Sequence, residues 1–121
     1  MLKRVELPDA TVYHLPGRDF LLCISPENSD AKNVAFGIVV FPAGSAPEGH
    51  THPAEEEVIH VLSGRGKLVT PDGTADLAPG VTVYIPAALH HATVSHGPEP
   101  LTMVSVFGPP TVPGSYEASR P

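Results

Sequence analysis

The chain has 121 residues, 41% of them apolar, and a formal charge of −6. That length suits one domain with a core of its own, and no apolar run approaches the roughly 18 residues a membrane-spanning helix needs. Lys and Arg total only seven and are scattered, so the concentrated positive charge that phosphate binding demands is missing and nucleic acid is not an expected partner.

The opening MLKRVELPDA carries no apolar leader-like segment, so no secretory signal is expected. The single cysteine, Cys23, excludes an internal disulfide and suits a reducing cytosol, so the expected location is cytoplasmic. Within Leu21-Leu22-Cys23-Ile24 it reads as a small hydrophobe in a strand.

Short Val- and Ile-rich runs predict strands over 10–14, 20–24, 34–41, 57–62, 66–70, 74–77, 81–85, 91–95 and 101–107. Pro and Gly fall between them, as in Leu15-Pro16-Gly17, Pro42-Ala43-Gly44 and Ala78-Pro79-Gly80. Thr70-Pro71-Asp72-Gly73-Thr74 predicts a tight hairpin, with proline presetting φ and Asp-Gly tolerating positive φ. The one helix candidate, 30–33, is too short to matter. The acidic Ala54-Glu55-Glu56-Glu57 could open a helix, but Val58, Ile59, Val61 and Leu62 favour a strand. Many short strands with evenly spaced turns imply an all-β sandwich or closed barrel. No internal repeat is visible. The proline-rich arm 108–121 cannot ladder into a sheet and is expected to pack on the surface or on a neighbouring subunit.

The stretch GHTHPAEEEVIH, from Gly49 to His60, concentrates titratable groups. In extended chain His50 and His52 share a face. Alternation in the next strand puts Glu57, Ile59 and Val61 on one side and Val58, His60 and Leu62 on the other. If Glu57 points inward, a carboxylate sits in an apolar lining, and a cation held between it and the histidines would remove the cost of burying it. His91 opens a later strand and is available as a fourth ligand. Three imidazoles and one carboxylate suit a divalent first-row metal.

These residues resemble the two signatures of the cupin superfamily. In the first, G-x5-H-x-H-x(3,4)-E-x6-G, every fixed position is met by Gly44, His50, His52, Glu57 and Gly64. In the second, G-x5-P-x-G-x2-H-x3-N, Gly80, Pro86 and His91 match, while Ala88 stands for glycine and Ser95 for asparagine. The signatures span 44–95. The resemblance implies a single-domain cupin jelly-roll β-barrel over 1–121, one divalent metal per chain (Fe, Mn, Ni or Zn) on His50, His52, Glu57 and His91, and a homodimer. Glu56 rivals Glu57 as ligand, because a three-residue gap also occurs in the family. The spacing to Gly64 and the strand parity favour Glu57.

Candidates for acid–base work are Glu56, His60, His90 and Tyr84. His90 points away from His91 in extended chain and would at most line the mouth. His60 is expected to be packed or at an interface, and His14 and His96 to be solvated. The pocket should be lined by Ile59, Val61 and Thr93, by one alternate set of strand 34–41, and by Tyr84, Met103 and Phe107. Arg65 and Lys67 should face solvent, leaving the pocket without strong positive charge. A small, largely apolar molecule that chelates the metal through one or two oxygens fits such a pocket better than a phosphorylated one. The reading is a metal-dependent enzyme of dioxygenase, isomerase or lyase type. The alternative is a non-catalytic binding or sensing module.

Overall fold

The computed structural model describes residues 1–115; the rest of the arm, 116–121, lies outside the described residues. Nine strands follow one 3-10 turn at Leu7–Asp9. They are β1 (Thr11–Leu15), β2 (Arg18–Ile24), β3 (Ala35–Phe41), β4 (Glu56–Ser63), β5 (Gly66–Thr70), β6 (Gly73–Leu77), β7 (Thr82–Ile85), β8 (Ala92–Ser95) and β9 (Leu101–Gly108). Every expected strand is present, with ends within two residues of those read from the pattern. The segment 30–33 holds only bends, consistent with its shortness.

The strands form two antiparallel sheets, as the expected jelly roll requires. The larger has the order β1-β2-β3-β9-β4-β7 and the smaller β6-β5-β8. β9 lies between β3 and β4, pairing Val39 with Met103 and Ile59 with Ser105. Alternation gives the large sheet one buried face. Phe20 and Leu22 of β2, Val39 and Phe41 of β3, Ile59 and Val61 of β4, Met103 and Phe107 of β9 and Ile85 of β7 meet Leu68 and Leu77 of the small sheet. Of the two alternate sets in β3, the inward one is therefore Ala35, Val39 and Phe41. Tyr84 departs from expectation: it pairs with Val58 and stands on the outer face, 56% exposed, because its neighbour Ile85 takes the inward position.

The loop before β4 is not loose. It runs beside β8, and main-chain bonds tie the two. His50 and His91 exchange N–H···O bonds of 2.9 and 3.0 Å, Gly44 N donates to Ser95 O at 3.0 Å, and Ser95 N donates to Ser45 O at 2.8 Å. The two signature segments are thus stitched together by backbone. At Gly64 a side chain is forbidden twice over: φ is +85°, and a Cβ would lie 2.3 Å from Pro100 O. Over residues 108–115 the arm folds back on its own chain. Pro113 is buried, and Pro110, Thr111 and Val112 lie by Leu22, Ser25 and Pro26.

Ala88, where the second signature has glycine, still makes the glycine turn. Its φ is +68°, and its N–H donates to His52 O at 2.7 Å. A left-handed L-residue costs roughly 1–2 kcal/mol, and glycine returns part of that as unfolded-chain entropy. Ala88→Gly should therefore raise the stability of the metal-free protein by about 1 kcal/mol, a melting shift of roughly 3–5 °C for a domain this size. Thermal unfolding checks this; an unchanged or lower midpoint would mean the turn stores no strain.

Candidate metal centre

β4 and β8 supply the two ends of the site, and the stitched loop supplies the middle. Glu57 comes from the inner face of β4 and is 7% exposed. His91 immediately precedes β8 and is 4% exposed; His52, in the loop, is 2% exposed. His50 is half-buried at the bridge to His91. The three imidazoles pack against one another, with ring centres 4.6 to 5.1 Å apart. One ligand nitrogen from each lies within 4.8 Å of the others, so the three histidines could hold a metal ion. His52 also packs edge-on against Phe107, at 4.9 Å between centres.

Glu57 is held from behind. Ser105 Oγ of β9 donates to Glu57 Oε2 at 2.6 Å. The other oxygen, Oε1, points at the histidines: it lies 3.3 Å from His52 Nε2 and 3.4 Å from His91 Nε2. His91 Nδ1 donates to Leu89 O at 3.0 Å, which turns Nε2 toward Glu57 as the nitrogen left to bind a proton or a cation. Two acceptors then face each other in a buried place, unless a proton or a cation lies between them. Oε1 itself accepts no well-formed hydrogen bond.

Electrostatics follow from this crowding. Burial pushes the Glu57 carboxyl up, but the imidazoles of His52 and His91 close to Oε1 outweigh it and hold the carboxyl well below the usual carboxylate range. His50 is driven down to about 2, first by burial, then by His91, His52 and Arg18, with Glu57 opposing. A neutral His50 keeps a lone pair for a ligand.

The cavity beside these residues is walled by Phe20, Val39, Phe41, Ile59, Leu68, Ile85 and Met103, with Thr93 and Ser105. Its free volume is about 30 Å³, room for one or two waters. It also contains a residue that the sequence reading left out. Arg18, 5% exposed, lines the cavity from the inner face of β2. The expected absence of strong positive charge is therefore corrected. The missed signal was parity with Phe20 and Leu22, hidden because the strand was started at 20. Ser105 was missed too, since nothing near it in sequence marks it.

The acid–base candidates lie elsewhere. Glu56 and Tyr84 pair with each other on the outer face, Tyr84 Oη donating to Glu56 Oε1 at 2.5 Å, which raises the tyrosine hydroxyl's pKa. His60 bonds Thr82 Oγ1 at 2.7 Å on that same face. His90 bonds Thr51 Oγ1 at 3.2 Å and does not line the cavity. His14 pairs with Asp19 and is exposed, as is His96. Arg65 and Lys67 face solvent as expected. Cys23 is only partly buried, with burial raising its thiol.

Comparison with known proteins bears on the fold that carries this site. The family model for the cupin domain matches residues 37–107, more than half the chain, and the chain belongs to that family. An uncharacterized protein of Streptomyces coelicolor is 34% identical over 79 residues, covering 65% of this chain and 73% of that one. The polyketide cyclase RemF of Streptomyces resistomycificus superposes with a TM-score of 0.77 at 24% identity, covering 93% of this chain and 83% of its own. A predicted oxalate decarboxylase of Thermotoga maritima also superposes with a TM-score of 0.77, at 18% identity, covering 89% of this chain and 100% of its own. At these identities the two structures establish the fold alone. Among the described residues no helix is long and apolar enough to cross a membrane.

A proton balance sets the acid stability of the metal-free protein. Unfolded His50 takes up a proton near pH 6.5, whereas the folded residue resists protonation down to about 2. Between those values the unfolded chain binds more protons, so stability is full above about 6.5 and falls as pH drops. The loss should approach about 1.4 kcal/mol per pH unit well below 6.5, with Glu57 adding to it below its unfolded value near 4.5. Urea unfolding at stepped pH measures it. His50→Gln should reduce the slope above pH 5, and a native profile that is flat between pH 6.5 and 5 would contradict the burial of a neutral His50.

Proposed function

We propose that this cupin is a divalent-metal-dependent enzyme acting on a small organic molecule that chelates the metal through oxygen. His50, His52, Glu57 and His91 are the ligands in this reading. The observation that carries it is Glu57 Oε1 facing two Nε2 atoms at 3.3 and 3.4 Å. Nitrogen and oxygen ligands each about 2.0–2.2 Å from one ion stand roughly 3.0–3.5 Å apart when adjacent, so the donor spacing fits a shared ion. The donor set, three imidazoles and a carboxylate, admits Fe, Mn, Ni or Zn. Such an ion supplies a Lewis acid, and iron adds chemistry with O2.

The protein's own contribution is orientation and dryness. Ser105 fixes the carboxylate rotamer, and Leu89 O fixes the His91 tautomer. Apolar walls keep all but one or two waters away from the ligands. Free volume on that scale admits only the reacting end of a substrate, which favours a compact chelating group such as a carbonyl, enol or carboxylate. Dioxygenase, isomerase and lyase chemistry all begin from that arrangement. The likeness in fold to a polyketide cyclase and a predicted oxalate decarboxylase supports an enzyme on this scaffold.

The reading includes a homodimer. The outer face of the large sheet is apolar across neighbouring strands: Phe36 pairs with Val106, Val106 with Val58, and Ile38 with Val104. Phe36, Val58 and Leu62 remain exposed on it, an arrangement typical of a surface that meets a partner.

Elemental analysis of protein purified without a metal-affinity tag tests the metal. About one equivalent of Fe, Mn, Ni or Zn per chain is expected, falling to near zero in His50→Ala and His91→Ala together with turnover. Protein that takes up no metal after anaerobic reconstitution overturns the enzyme reading and leaves a binding module. Sedimentation equilibrium tests the dimer: twice the 12.7 kDa chain mass is expected, and the mass of a single chain refutes it.

A further inference from the structure

The inner face of the large sheet is wider than the sheet that covers it, six strands against three. The loop carrying His50 and His52 extends the cover by running beside β8. It meets the β1–β2 turn where Ser45 Oγ donates to Gly17 O at 2.5 Å. Past that clasp, the inner residues of β1 and β2 are covered by the arm. Pro110, Thr111 and Val112 lie by Leu22 of β2. Further along, Gly114 reaches β1: a Cβ there would stand 2.9 Å from Leu15 Cδ2. Pro113, between them, is buried. Leu15 is paired with Arg18, and Leu22 follows Phe20 by two residues, so the inner side chains between the two contacts are Arg18 and Phe20. Both line the metal cavity. The arm therefore crosses the stretch of β2 that walls the site.

It is held there weakly. Among the described residues the hydrogen bonds of 109–115 are internal. Thr111 Oγ1 and Ser115 Oγ are 3.1 Å apart, and Ser115 donates to Val112 O from N at 3.1 Å and from Oγ at 2.7 Å. Pro109, Pro110 and Pro113 have no N–H to offer a sheet. Apolar contact is what remains, and it is loosely made. A void of about 150 Å³ separates Pro110, Thr111 and Val112 from Leu22, Ser25 and Pro26, and Val112 stays 46% exposed. A segment with few buried apolar contacts and no bonds to its neighbours opens at a small fraction of the free energy of global unfolding. The core beneath is tied differently: β4 and β9 are paired from Glu56 and Gly108 to Val61 and Met103.

We infer that residues 109–115 form a lid over the metal cavity. Lifted, it opens the β1–β2 side to an entering molecule; closed, it completes the barrel and shuts water out. The inference deepens the metal reading, on which the lid's purpose rests, but its test needs no metal, so the two fail separately. A lid also resolves a conflict in the site. Apolar walls and a free volume of about 30 Å³ keep the ligands dry, yet a substrate has to get in. A fixed barrel cannot do both, whereas a cover held by apolar contact alone can.

The test is the rate at which diethyl pyrocarbonate modifies each histidine of the metal-free, full-length chain, mapped by peptide mass spectrometry. His14 and His96, both exposed, serve as references, and amide exchange at Met103 reports opening of the core. Pro113→Asp places a carboxylate in a buried apolar position and should lift the arm. His50, His52 and His91 should then react roughly 10-fold faster or more, while His14, His96 and Met103 keep their native rates. Val112→Asp, at a more exposed position, should act in the same direction and carries the test if Pro113→Asp does not fold. Unchanged rates at the three site histidines in a folded variant overturn the inference. So does an increase matched by equal acceleration of Met103 exchange, which is what loss of global stability alone produces.

Discussion

The rest of the site depends on one arrangement: a buried carboxylate oxygen that meets imidazole nitrogens with nothing else to receive it. Glu57 Oε1 lies 3.3 and 3.4 Å from two Nε2 atoms. A protein that bore this cost without compensation would be poorly stable. The surrounding structure enforces the arrangement instead of relieving it. β9, set between β3 and β4, supplies Ser105 to hold the far oxygen and Phe107 to wall His52. The Leu89 carbonyl accepts a hydrogen bond from His91 Nδ1 and so turns Nε2 inward. Each contact reduces the freedom of a donor to turn away, as expected where preorganisation around an ion matters more than stability without it.

Placement of the three histidines is largely a main-chain achievement. The loop carrying His50 and His52 pairs with the start of β8 through reciprocal bonds between His50 and His91. Ser95, standing where the second signature has asparagine, contributes chiefly through its backbone, joined at N to Ser45 and at O to Gly44. Its hydroxyl reaches Phe41 O only at 3.4 Å. That explains how the chain departs from the family pattern at two positions without disturbing the donors. Ala88 adopts the left-handed turn that glycine would, and its N–H still reaches His52 O.

Much of this was legible in the sequence, for definable reasons. Strands with one buried face alternate strictly, so the inward set of β4 could be read from Glu57, Ile59 and Val61 alone. Spacing relative to Gly44 and Gly64 pointed to the histidines and to Glu57 over Glu56, and Glu56 indeed stands outside, bound to Tyr84. What escaped was whatever depends on a strand end or on pairing between distant strands. Starting β2 two residues late removed Arg18 from the parity count, and a lone arginine after Pro-Gly looks like a solvated turn residue. Ser105 lies 48 residues from Glu57, and only the register of β4 on β9 brings them together. Tyr84 was expected in the pocket lining, whereas register gives that side to Ile85.

The charges that line the cavity bear on selectivity beyond shape. Arg18 and Glu57 are the permanently charged lining residues, one on β2 and one on β4, separated in the sheet by β3 and β9. Without an ion their charges balance; a divalent cation on the histidine cluster makes the lining net positive. In a narrow, apolar-walled space that imbalance is weakly screened, so an entering molecule is selected by charge as well as by fit.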